Sequence, residues 1–122
     1  MKAFKIIPLL FLPLFLSTTA HADSAGMTGT EILNLIEADE SSKEIARIYT
    51  AGLGIGLYTG LLVSDELSEK EQMFCFPDNL NGSQINRILL KYLNEHPEEH
   101  HQHISTIMLK SYYEAFNCDK EK

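Results

Sequence analysis

Four histidines, His96, His100, His101 and His103, fall in one short stretch, and His96, His100 and His103 repeat at i, i+4 and i+7. On a helix that spacing aligns imidazoles on one face, where an i, i+4 pair can hold a transition metal. The order is not the HExxH of a zinc hydrolase. The neighbouring Glu98 and Glu99 are explained by the preference for acids in a first helical turn. A solvated histidine-rich face is therefore expected, with no metal site and no cofactor. No serine stands in a GxSxG elbow. The run Gly52-Leu53-Gly54-Ile55-Gly56 lacks the preceding strand that a nucleotide loop requires. No catalytic residue is assigned, and a binding protein is expected in place of an enzyme.

The beginning of the chain narrows the setting. Lys2 and Lys5 precede an apolar run at 6–16 that contains Pro8 and Pro13, and Ser17-Thr18-Thr19-Ala20-His21-Ala22 follows with a small-x-small ending. The run is shorter than the roughly 20 residues that cross a bilayer. Residues 1–22 read as an export signal cut after Ala22, and residues 23–122 as a single domain. Its loss would remove two lysines and no acid, moving the net charge from −7 to −9. Such a surface excludes nucleic acid, which needs a basic face, and leaves a basic protein partner open. Once the signal is cut, no membrane association is expected.

Cys75 and Cys118 both remain after export into an oxidising compartment, which favours one disulfide with a sequence separation of 43. Chain-entropy arguments give such a link about 4 kcal/mol.

The elements that carry these residues read as helices, so the fold class is all-α, a compact bundle of four to five helices. Ile32, Leu35 and Ile36 mark a short first helix capped by Thr28 or Thr30. A polar break at 38–42 precedes a longer helix expected from Ser42 or Lys43 to Leu62, apolar most of the way round and hence central and buried. Gly52, Gly56 and Gly60 recur every fourth residue along it, each costing about 1 kcal/mol relative to alanine. A stripe of that kind suits close helix packing inside the domain, or a homodimer seam. The stretch 64–72 is an acidic connector, and Phe74-Cys75-Phe76-Pro77 is extended. Asn81 and Gln84 make a capping box for a helix bearing Ile85, Ile88, Leu89, Tyr92 and Leu93. Pro97 is expected to open the next helix, whose apolar face runs from Ile104 to Phe116. A charged, frayed tail follows Cys118.

Read in order, Phe74-Cys75-Phe76-Pro77, Gln84, Lys91-Tyr92-Leu93-Asn94-Glu95-His96-Pro97-Glu98 and Ala115-Phe116-Asn117-Cys118 resemble the Rap/Tai family of type VI secretion immunity proteins. Tyr49-x-x-Gly52, with Gly56 four residues on, resembles the family's Tyr-x-x-Gly helix. The resemblance covers residues 45–118. The chain departs from the pattern in lacking cysteines in its first helices and in carrying Asn117 where relatives have proline.

The resemblance implies a small helical periplasmic inhibitor, often homodimeric. It would block a peptidoglycan amidase effector that resembles papain-like cysteine peptidases by docking over its catalytic cleft. The toxin contact is expected on Asp65, Glu66, Glu69 and Glu71, with Asp78 and Asn79, because these are polar and close to the disulfide. The alternative is a small helical acid-stress chaperone of the periplasm, with which the acid-rich composition and the histidines are also compatible.

Overall fold

The computed structural model describes residues 26–121, so the expected export signal at 1–22 lies outside the described residues. Four α-helices follow in order: α1 (Gly29–Ala38), α2 (Glu40–Leu67), α3 (Gly82–Glu95) and α4 (Ile104–Phe116). Short 3-10 turns at Pro97–Glu99 and Cys118–Glu121 complete the chain, and no strand is present among the described residues. The all-α fold with one Cys75–Cys118 disulfide is as the sequence indicates.

Capping chemistry sets the starts of α1 and α3. Thr28 accepts from the Glu31 N–H while Glu31 accepts from the Thr28 N–H at 2.7 Å, closing a reciprocal box. The hydrogen bonds with Thr28 hold the Glu31 carboxyl below its ordinary pKa. Asn81 and Gln84 repeat the arrangement on α3, with both bonds at 3.0 Å.

The long helix departs from expectation at both ends. It begins at Glu40, because Asp39 alone is extended and its side chain accepts from the Ser42 N–H at 2.9 Å. One aspartate is a sufficient break, since it makes a strong N-cap. The helix continues through Asp65 and Glu66 to Leu67, because no glycine or proline stands in 61–67 to stop it.

Nor is α2 buried all round. Ala46, Thr50 and Gly54 are its buried residues, while Ile45, Ile48, Ile55, Val63 and Leu67 are exposed. By length and composition alone the helix is able to cross a membrane. Its inner face nonetheless belongs to the bundle, with Leu53, Leu57 and Leu61 packed on the core. Thr50 donates to Asn86 Oδ1 at 2.7 Å, and Asn86 Nδ2 donates to the Arg47 carbonyl at 3.0 Å, tying α2 to α3.

The glycines divide the same way. A Cβ at Gly52, Gly56 or Gly60 would meet nothing within 4 Å, so no helix of the same domain packs there. The close approach is at Gly54, where a Cβ would strike the Ile85 methyl and the Tyr112 hydroxyl. Gly56→Ala should accordingly raise the stability of the isolated chain by about 1 kcal/mol through helix propensity alone. Urea unfolding at low protein concentration measures it, and a loss of stability would place a hidden contact at Gly56.

The core gathers Ile32, Ile85, Leu89, Leu93, Ile104, Ile107, Met108 and Tyr112, each at most 1% exposed. Burial of each such side chain contributes about 1.5–3 kcal/mol before the ordering entropy is set against it. Tyr112 donates its hydroxyl to the Gly54 carbonyl at 2.7 Å, so the one buried phenol among these apolar groups is satisfied.

Pro97 does not open α4. It starts a single 3-10 turn, and α4 begins only at Ile104. The interruption is held from outside: Gly29 and Thr30 donate to the carbonyls of Gln102 and His100, and Ile104 donates to the carbonyl of Met27. His103 is thereby extended and caps α4, its Nδ1 accepting from the Ser105 N–H.

Candidate functional site

Between α2 and α3 the chain runs as an arm, residues 68–81, and its middle is fixed to the end of α4. The Cys75 N–H donates to the Phe116 carbonyl at 2.8 Å and the Cys118 N–H to the Met73 carbonyl at 3.3 Å, on either side of an antiparallel bridge between Phe74 and Asn117. The disulfide closes the same junction. Phe74 is buried and stacks on Phe76 at 5.4 Å, and Phe76 packs edge-on against Tyr58 and Tyr112. A connector without helical structure of its own is thus held by two backbone bonds, a covalent link and an aromatic cluster.

Beside the arm lies an apolar cleft of about 640 Å³, lined by Leu61, Met73, Phe74, Tyr92, Leu109 and Tyr113, with Lys110, Glu114 and Asn117 on its polar side. Met73, Leu109 and Tyr113 stand at its mouth, 57%, 39% and 49% exposed. Large apolar side chains around a depression with charges beside them make the usual composition of a protein-binding surface. A network stiffens its floor: Tyr92 donates to Glu99 at 2.9 Å, and Lys110 donates to the other Glu99 oxygen at 2.8 Å. Burial, then the hydrogen bond to Glu99, pushes the Tyr92 hydroxyl up to about 12, while the Lys110 hydrogen bond holds Glu99 below the usual carboxylate range.

The residues singled out in the sequence fall into separate groups. Glu66, on the last turn of α2, and Glu69, on the arm, are both exposed. Glu71 lines a shallow recess with Met73, Tyr113 and Asn117, next to the main cleft. Asp65 is only partly exposed, and its Oδ2 is buried with no hydrogen-bond partner, so it faces the protein more than a partner. Asp78 and Asn79 form an exposed turn beyond the disulfide, between Pro77 and Leu80 of a smaller cleft that also includes Arg87 and Lys91. Leu109 and Tyr113 were not anticipated. They stand at i, i+4 off the face set by Ile104, Ile107, Met108 and Tyr112, which is the signal that marks them.

The histidines do not share a face. His100 Nε2 donates to the Leu93 carbonyl at 2.7 Å, His103 caps α4, and His101 is exposed. His96 alone meets carboxylates, those of Glu98 and Glu114. Partial burial disfavours its charged ring, but the bonds to Glu114 and Glu98 outweigh this and leave its pKa above the ordinary imidazole value.

The Rap1a immunity proteins match this chain over residues 28–118, from the cap of α1 to the second cysteine. The chain belongs to the Rap1a immunity protein family. The matched span contains all four α-helices, the arm and both cysteines. Membership gives the molecule an immunity role and implies a cognate toxin as its partner. No curated protein and no solved structure matches the chain.

Proposed function

We propose that the chain is a periplasmic, non-enzymatic immunity protein of a type VI secretion system that binds a peptidoglycan amidase effector and covers its catalytic cleft, so protecting sister cells. The observation that carries this reading is the arm: an acidic, exposed segment clamped to α4 beside an apolar cleft, within an immunity-family chain. A fixed arm loses little conformational freedom on binding, which favours tight obstruction of another protein's groove. An enzyme acting on anionic cell wall tends to be basic, and acids at Glu66, Glu69 and Glu71 would steer it toward the cleft. Tyr113, Leu109 and Met73 would supply the apolar contacts that hold it. Family membership favours this reading over the acid-stress chaperone.

The outer face of α2 supports a second contact, with another copy of the chain. Ile45, Ile48, Ile55 and Val63 are exposed alongside the open glycine groove at Gly52, Gly56 and Gly60, a patch that suits a homodimer seam.

Charge reversal tests the acidic stretch where α2 ends and the arm begins. Glu66→Lys with Glu69→Lys should slow association with the cognate amidase on the order of tenfold at low ionic strength and flatten its salt dependence. Stopped-flow binding reads both, and an unchanged rate and salt slope would remove this acidic stretch from the interface.

A further inference from the structure

Where α3 ends, its last residue Glu95 and its C-cap His96 come against Glu114 of α4, and one ligand atom from each of the three lies within 4.8 Å of the others. His96 Nε2 is 3.2 Å from Glu114 Oε2, and its Nδ1 is 3.3 Å from Glu98 Oε1. Donors around a four-coordinate zinc stand about 2.0–2.2 Å from the ion and so roughly 3.3 Å from one another. The Nε2–Oε2 pair already has that separation, and Glu95 is exposed, with a carboxylate oxygen within 4.8 Å of both other ligand atoms.

The imidazole is also held in place. Its ring lies against Tyr92, with centroids 4.1 Å apart, and Tyr92 is anchored by Glu99. Glu98 can accept from Nδ1–H, which fixes the tautomer that presents the Nε2 lone pair to Glu114. A carboxylate behind a histidine is the usual outer support of a metal-binding imidazole. We propose that His96, Glu114 and Glu95 form a binding site for a divalent transition cation of the zinc type, with Glu98 orienting the histidine. One imidazole with two carboxylates suits zinc better than calcium or magnesium, which take more oxygen donors. Lys91, 3.8 Å from Glu95, is displaced when Glu95 turns to the ion. The site stands on the rim of the apolar cleft, which Glu114 also lines.

Isothermal titration of the purified chain with zinc chloride near neutral pH tests the site. One zinc per chain is expected, with affinity weakened at least about tenfold by His96→Gln and by Glu114→Gln and unchanged by His101→Gln. Zinc should also shift the Nε2 resonance of His96 in the unaltered chain, a readout that needs no variant. Calcium should bind at least about tenfold more weakly. Absence of zinc binding, affinity that His96→Gln leaves intact, loss through His101→Gln, an unmoved His96 resonance or equal affinity for calcium would each overturn the assignment.

Discussion

Replacing Cys75 and Cys118 together by serine is expected to lower the melting temperature by roughly 15–30 °C. The link spans a sequence separation of 43. In the chain-entropy account that is about 4 kcal/mol, and each kcal/mol moves a domain of this size by about 4–8 °C. The effect should concentrate on the arm. Without the disulfide, the arm's hold on α4 falls to the bonds from Cys75 N–H to Phe116 and from Cys118 N–H to Met73, together with the packing of Phe74 and Phe76. Scanning calorimetry of the double variant measures the loss. A shift of only a few degrees would mean that the aromatic cluster alone fixes the junction.

Gly54→Val should be nearly as damaging, at about 3 kcal/mol. The added side chain would occupy space taken by Ile85 and the Tyr112 hydroxyl, and relief would require breaking the bond from that hydroxyl to the Gly54 carbonyl. The same residue type two positions on, Gly56, faces open space, and alanine there is expected to stabilise. Denaturant midpoints for Gly54→Val and Gly56→Ala should therefore move in opposite directions from the parent. Movement of both in the same direction would contradict the division of α2 into a core face and an open face.

That division was only half legible in the sequence. The i, i+3, i+4 pattern of Ile85, Ile88, Leu89, Tyr92 and Leu93, with Asn81 and Gln84 ahead of it, specifies α3 closely, because capping and amphipathicity are local and agree. The extended Phe74 likewise follows from a local rule, whereas the Cys75–Cys118 link follows from the even cysteine count expected after export. In α2 periodicity fails, since a helix apolar on two faces looks the same whether both are covered by one chain or one is left open. Its glycines mislead for the same reason: spacing marks Gly52, Gly56 and Gly60, while tertiary contact falls on Gly54.

The histidine stretch shows a further limit. Pro97 suits a first helical turn, but the bonds from Gly29, Thr30 and Ile104 bend residues 100–103 away from a helix. Contacts with residues some 70 positions earlier leave no trace in a local pattern. The candidate site was partly visible for the same reason. Glu66, Glu69 and Glu71 are marked by composition, whereas the cleft beside them exists only once Met73, Leu109 and Tyr113 are brought together.

The clamped arm and its cleft are the proposed surface that meets the toxin, and amide hydrogen exchange with and without saturating cognate amidase tests this most directly. Protection is expected at residues 66–74 and 109–117, with residues 45–63 on the outer face of α2 unchanged by the amidase. Protection confined to 45–63, with the arm exchanging as freely as in the isolated chain, would contradict it.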